Sequence, residues 1–341
     1  LLINRDVRAR LENSDAGSGM QVRAQGDITI GIVNIMPPMA MRRTERQFTH
    51  LLNPASPRDK IHLKFFTIPN LYPKNIAMFQ LDHDHDDIEM LWDCDLDGLI
   101  VTGTEPQAAS MVDEASWRML AKLVDWAADN TVSTIWSCFA AHAAVFRLDG
   151  IRRRAFAEKL SGVFECAKVA EHKIVAAAPS RWLVPHSRYN TLNEEDLLGN
   201  GYRVLSRSDR IGPDIFVKQC DKSEFVFLQG HPEYDADTLY NEYCRDIKRF
   251  LIGHRTVYPN MPEGYFDEAA IATFTALREN SHLSSSLGDL AELNGSMSLA
   301  LKHRWRAPAR QLYSGWLSYI ASQKMQTRER GRVPYIERAG E

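Results

Sequence analysis

The chain has 341 residues, of which 44% are hydrophobic and 25% charged, and a formal net charge of −3. That is enough apolar side chain for a sizeable core and too little positive charge for a nucleic-acid or anionic-membrane footprint, so the expected partner is a small-molecule substrate or another protein chain. No apolar run reaches the roughly 20 residues of a membrane span, and the opening LLINRDVRAR is too short and too charged for a signal-peptide core. Five cysteines, Cys94, Cys138, Cys166, Cys220 and Cys244, are odd in number and form no CxxC pair. They point to neither a disulfide framework nor a zinc site, and the expected setting is cytoplasmic.

In chain order, residues 1–27 are polar and glycine-containing and read as an N-terminal arm. ITIGIVNI (28–35) is a continuous apolar run, the pattern of a strand buried on both faces, and MPPM breaks it. A helix is expected over 44–52, a second strand at 61–68 and a third at DGLIVTG (97–103). A helix over about 113–128 follows, with Trp117, Leu120, Ala121 and Val124 on one face and Asp113 and Glu114 at its positive end. TVSTIW (131–136) is a fourth strand, FAAHAAVFRL a further helix, EFVFLQG (224–230) another strand and 237–252 another helix. Residues 28–254 thus alternate strand and helix, which predicts an α/β fold, doubly wound around a mostly parallel sheet. Residues 255–341 read as a helical and aromatic extension packed on the same domain, with a helix at 268–278 and the segment LYSGWLSYIA (312–321).

In such sheets ligands bind outside the carboxyl ends of the strands, which singles out the loops 36–44, 103–112 and 137–138. Cys138 stands where a strand ends and a helix begins. There the helix dipole favours a thiolate, and the Phe139 amide can face an oxyanion formed on a carbonyl attached to the sulfur. The competing reading is a small buried hydrophobe, and the glycines of the usual nucleophile elbow are replaced by Trp136 and Ala140. His231 directly follows a strand and Glu233 lies two residues on. Together they supply a base and a carboxylate to orient it, against the alternative of a solvated histidine at a turn. The cluster DHDHDD (82–87) suits a helix N-terminus ahead of Ile88 better than a metal, and no metal is expected. His142, one turn beyond Cys138, reads as structural.

With those residues in view, the chain resembles the homoserine O-acyltransferases of the succinyltransferase type, whose fold is class I glutamine amidotransferase-like. VNIMP, TERQF, DGLIVTG, STIWSCFAAHAA, KLSGVFE, PHSRY and GHPEYDADTL occur in the order of that family, and the likeness extends through YPNMPEGYF and LYSGWLSY. The resemblance implies that Cys138 is the acyl-accepting nucleophile, His231 the general base and Glu233 its supporting acid. It makes Lys159, Ser187 and Arg245 substrate-binding residues, although the stripe Leu239, Tyr243, Ile247 and Phe250 puts Arg245 on the polar side of its helix. The amides of Phe139 and of the Gly103–Thr104 turn would hold the oxyanion.

The implied reaction is a ping-pong transfer of a succinyl group from succinyl-CoA to the hydroxyl of L-homoserine in methionine biosynthesis. Acyl-CoA acts as co-substrate, no cofactor is bound, and the enzyme is a homodimer. A small residue at the position aligned with Ala108 leaves room for the free carboxylate of succinyl, although Glu105 and Gln107 lie close by. Acetyl-CoA as donor or serine as acceptor stay open, as do a glutamine amidotransferase-like hydrolase and a catalytically silent binding protein. The loop MPPMAMRRTERQF and the longer segment between Phe266 and Trp305 depart from the family pattern.

Overall fold

The computed structural model describes residues 27–52, 60–69, 71–72, 85–281, 288, 290 and 303–331. The expected arm as far as residue 26, His83 and most of the 267–304 segment beyond Ser281 lie outside the described residues.

Among the described residues ten strands form one sheet: β1 Ile28–Val33, β2 Ile61–Thr67, β3 Asp86–Asp87, β4 Gly98–Val101, β5 Ser133–Ser137, β6 Arg154–Lys168, β7 Arg181–Thr191, β8 Arg203–Ser208, β9 Gly212–Cys220 and β10 Ser223–Leu228. Their spatial order is β3-β2-β1-β4-β5-β10-β9-β8-β6-β7. The five pairings from β3 to β10 are parallel and the remaining four are antiparallel. The class is therefore α/β, with a doubly wound parallel half extended by an antiparallel half.

The parallel half follows from side-chain alternation. Val33, Leu99, Val101, Trp136, Phe225 and Phe227 face one layer, whereas Ile28, Ile30, Ile32, Ile100, Ile135, Val226 and Leu228 face the other. The first layer is covered by α2 (Trp117–Asn130) and α3 (Phe139–Asp149). The second is covered by α1 (Pro38–Leu52) and α7 (Arg306–Gly331). The remaining helices are α4 (Glu194–Gly199), α5 (Thr238–Leu251) and α6 (Glu268–Glu279). The aromatic segment of α7 packs on the body: Tyr313, Trp316 and Ile320 are fully buried, and Trp316 Nε1 donates to Ser133 Oγ at 2.8 Å.

Two expectations are corrected. The segment 36–44 is not a loop, because α1 begins at Pro38, a residue suited to a first helical turn where its missing N–H costs nothing. The helix expected from 113 begins at Trp117, after a short 3-10 turn at Met111–Asp113. Glu114 consequently does not serve a helix dipole. Its carboxylate accepts from the amides of Gln107 and Ala108, at 3.1 and 3.2 Å, and pairs with Arg153 at 2.7 Å, both side chains being 4% exposed. Asp87 caps the 3-10 turn Ile88–Leu91, as its cluster suggested, and His85 Nε2 lies 2.7 Å from Glu45 Oε1.

Candidate active site

Three adjacent parallel strands bring three loops together. Ser137 at the end of β5 is paired with Leu228 at the end of β10, and Val101 of β4 with Trp136 of β5. The residues that follow these ends are Cys138, Gln229 to His231, and Thr102 to Thr104. The Cys138 amide donates to Leu228 O at 2.6 Å, which ties the elbow to the neighbouring strand end.

Cys138 has φ 49° and ψ −108°, a backbone conformation rare for a side-chain-bearing residue. Such strain costs on the order of 1–3 kcal/mol and is held by its surroundings. It turns the chain sharply from β5 into α3 and puts Cys138 at the N-cap of that helix, whose first-turn amides have no partner within the helix and are not capped by the Cys138 side chain. Gly103 makes the approach possible: a Cβ there would sit 3.0 Å from Cys138 Cβ, 3.1 Å from Ser137 O and 3.3 Å from Phe139 N. The backbone of the Gly103–Thr104 turn thus lies against the elbow beside the Phe139 amide. The Thr104 hydroxyl is 3.2 Å from the Tyr72 hydroxyl, which also donates to Ile35 O.

His231 is placed by its amide, which donates to Pro185 O at 2.7 Å, and by Tyr234, whose ring stacks on the imidazole with centroids 4.3 Å apart. His231 Nδ1 lies 2.8 Å from Glu233 Oε1, and Pro232 between them stiffens the pair. Burial opposes a charge on this imidazole, but the Glu233 carboxylate and the hydrogen-bonded Cys138 thiol hold its pKa well above the ordinary value. Cys138, His231 and Glu233 therefore meet as one linked group.

Lys159 sits in a stretch of β6 where the register with β7 shifts between Ala155 and Leu160, a bulge that re-aims side chains. Its ammonium is 3.3 Å from Glu242 Oε2 and 3.0 Å from Asp246 Oδ2. Ser187 Oγ donates to the same Glu242 oxygen, and the Tyr234 hydroxyl donates to Glu242 Oε1 at 2.7 Å. Burial would raise the Glu242 pKa, yet Lys159 and Arg245 pull it down to about 2. Burial disfavours the Lys159 charge, and Glu242 and Asp246 overcome that and raise its pKa. Arg245 is on the outward side of α5, as the periodicity implied, but its guanidinium bends back to Asp246 Oδ1 at 3.2 Å. Arg249 and Arg255 also reach Asp246, at 3.6 and 3.7 Å, and Arg249 meets Glu105 at 3.1 Å. Four cations thus share three carboxylates, and a cavity of about 500 Å³ lined by Lys159, Tyr189, Asp246 and Arg255 opens beside them.

Ala108 lies half-buried in its loop, its amide held by Glu114 and its carbonyl by Arg153, whose guanidinium is 5.5 Å from the centre of the Phe139 ring. Glu105 points away to Arg249 and the Tyr189 hydroxyl. The sequence reading missed Tyr234, Glu242 and Asp246. Tyr234 precedes α5, and Glu242 and Asp246, each three residues beyond an apolar position of α5 (Leu239 and Tyr243), gave only the sign of a polar helix face.

The group Cys166, His186 and Asp214 brings a thiol, an imidazole and a carboxylate within 4.8 Å of one another. Asp214 is already satisfied by Ser206 Oγ at 3.1 Å and the Gly230 amide at 3.2 Å. Among the described residues no helix is long and apolar enough to cross a membrane.

The homoserine O-succinyltransferase family model matches residues 14–327. The homoserine O-succinyltransferase of Bradyrhizobium japonicum is 42% identical over 310 residues, covering 90% of this chain and 94% of that one. The protein of the same name from Methylococcus capsulatus is 32% identical and covers 97% of this chain and 94% of that one. Among solved structures, a glutamine amidotransferase from Thermotoga maritima aligns at 13% identity with a TM-score of 0.43, covering 85% of this chain and 98% of that one.

Proposed function

Since the chain belongs to the homoserine O-succinyltransferase family, we propose that it transfers the succinyl group of succinyl-CoA to the side-chain hydroxyl of L-homoserine through a thioester on Cys138. The observation that carries this reading is the strained Cys138 elbow linked to the His231–Glu233 pair, with the Gly103 backbone pressed against it.

The Cys138 thiolate attacks the thioester carbonyl, and the oxyanion so formed meets the amides of Phe139 and the Gly103–Thr104 turn. Collapse expels coenzyme A as its thiol, with the proton supplied by His231. The homoserine hydroxyl then gives its proton to His231 and attacks the acyl-enzyme, and the second tetrahedral intermediate releases the O-succinyl ester and the Cys138 thiolate. Glu233 orients the imidazole and stabilises its charged form. Lys159, Ser187 and Arg245, assembled around Glu242 and Asp246, offer opposite charges to the carboxylate and ammonium of an amino-acid acceptor. Ala108 leaves the donor's end of the loop uncrowded.

This reaction needs no bound cofactor, and acyl-CoA is a co-substrate. It places the protein in methionine biosynthesis in the cytoplasm, and likeness to the family favours a homodimer that binds neither nucleic acid nor membrane. Mixing the protein with succinyl-CoA without acceptor tests the reading: intact mass should rise by one succinyl group on Cys138, and homoserine should discharge it. A chain that gains no acyl mass, or that releases ammonia from glutamine, refutes it.

A further inference from the structure

Arg188 of β7 is 2% exposed, yet among the described residues it makes no ion pair with a carboxylate. Its nitrogens donate instead to neutral acceptors: Nε to His186 Nδ1 at 3.3 Å, Nη1 to Asn190 O at 2.8 Å and Gln229 Oε1 at 3.3 Å, and Nη2 to Ile211 O at 2.9 Å. A buried guanidinium held only by neutral partners keeps its full positive charge, at a desolvation cost that a fold does not ordinarily bear without an anion nearby. The Phe156 ring, 5.1 Å from the guanidinium carbon, closes one side of it.

The partners of Arg188 lead to the elbow. Gln229 follows Leu228, whose carbonyl receives the Cys138 amide, and Gln229 Oε1 also lies 3.2 Å from His142 Nε2. His142 in turn donates its amide to Cys138 O. On the other side, Arg188 fixes the His186 ring with Nδ1 as acceptor, which leaves Nε2 carrying the proton 3.4 Å from Asp214 Oδ1. Burial lowers the Arg188 pKa to about 10, and among the groups that oppose this the Cys138 thiol is the strongest, ahead of Asp214.

We propose that Arg188 is a positioning residue whose buried charge, held beneath the elbow by Gln229 and by the His186–Asp214 pair, stabilises the Cys138 thiolate. The proposal takes Cys138 as the nucleophile and so rests on the function proposed above. It adds to the His231 imidazolium a second cation, one that does not give up its proton during the reaction. The groups that act on the thiol are then His231 backed by Glu233, Tyr234 and Arg188, while the His142 ring faces Gln229 and is neutral, burial lowering its pKa to about 3.

The test follows Cys138 alkylation by iodoacetamide against pH in the full-length protein, with the labelled site read by peptide mass. In Arg188→Gln the midpoint of the profile should rise by about one unit, and in Arg188→Lys it should stay near wild type. Asp214→Asn removes the carboxylate that competes for the guanidinium, so its midpoint should fall, a direction that loosened packing would not produce. A wild-type midpoint in folded Arg188→Gln overturns the proposal. Should that variant fail to fold, an unchanged or raised midpoint in Asp214→Asn overturns it instead. Because alkylation needs no acyl donor, failure of succinyl transfer would strike the proposed function and leave this result readable.

Discussion

Placing a single methyl group at Gly103 is the most direct perturbation of the proposed oxyanion site. In Gly103→Ala the new Cβ would meet Cys138 Cβ at 3.0 Å, Ser137 O at 3.1 Å and Phe139 N at 3.3 Å, all inside ordinary contact distance. None of these is the far end of a flexible side chain, so the turn and the elbow must part by a few tenths of an ångström. Overpacking of this kind costs about 1–3 kcal/mol. Losing one oxyanion donor costs about 10²–10³ in kcat, and a displaced donor costs less, so a fall of about 10- to 100-fold is expected. Stopped-flow release of coenzyme A from succinyl-CoA would read the acylation step, with a thermal melt to record the packing cost. Wild-type acylation in a variant whose melting temperature has dropped would show that the Gly103 turn is near the elbow without serving the oxyanion. Gly230→Ala is the contrasting control: its Cβ would lie 2.8 Å from both Asp214 Oδ1 and His186 Nε2 and collide with Val184, so it should destabilise more than Gly103→Ala.

Cys138→Ala should form no acyl-enzyme and show no turnover, and wild-type initial rates should give the parallel double-reciprocal lines of a ping-pong scheme; intersecting lines would refute it. Glu242 has its pKa depressed to about 2, so its stabilisation is complete above the unfolded carboxylate value of about 4.3 and is lost as pH falls toward about 2. Melting temperature across that window should therefore fall less steeply in Glu242→Gln than in wild type, and equal slopes would count against the Lys159–Glu242 pairing. Arg153→Met should lower stability by about 3 kcal/mol in denaturant titration, because it leaves the buried Glu114 carboxylate with only the loop amides. Glu105→Ala should leave a preference for succinyl-CoA over acetyl-CoA, since Glu105 is engaged by Arg249 rather than turned toward Ala108; a switch to acetyl would refute that assignment.

β3, two exposed aspartates, left no strand signal, but in the rest of the parallel half β2 showed through its aromatic and β-branched residues ahead of Pro69, and the central strands β1, β4, β5 and β10, buried on both faces and ended by a proline, a glycine or the Cys138 junction, were legible. The antiparallel half was not. β6 carries exposed and half-buried residues over most of its length and is interrupted by the bulge that holds Lys159, so no alternation marks it as a strand. Cys138, His231 and Glu233 could be picked out because they stand at strand ends, where position alone suggests chemistry. Glu242 and Asp246 could not, since the polar face of α5 reads like any solvated helix surface until β6 and β7 are laid against it. Arg188 is hidden for a related reason: an arginine between Ser187 and Tyr189 gives no sign that its guanidinium is sealed from water.

The last described helix also bears on how the chain is made. The sheet face formed by Ile30, Ile32, Ile100 and Ile135 is covered in part by Leu312, Tyr313, Trp316 and Ile320 of α7, which are synthesised after every strand. While the ribosome is still working, that face lacks the cover that α7 gives it, and the Ser133 hydroxyl has not yet met the Trp316 indole. The nascent protein therefore passes through an interval in which a nearly finished sheet is adhesive, and the arrival of α7 ends it. Loss of this helix through premature termination or proteolysis would expose the same apolar surface, making such fragments clients of chaperones and prone to aggregation.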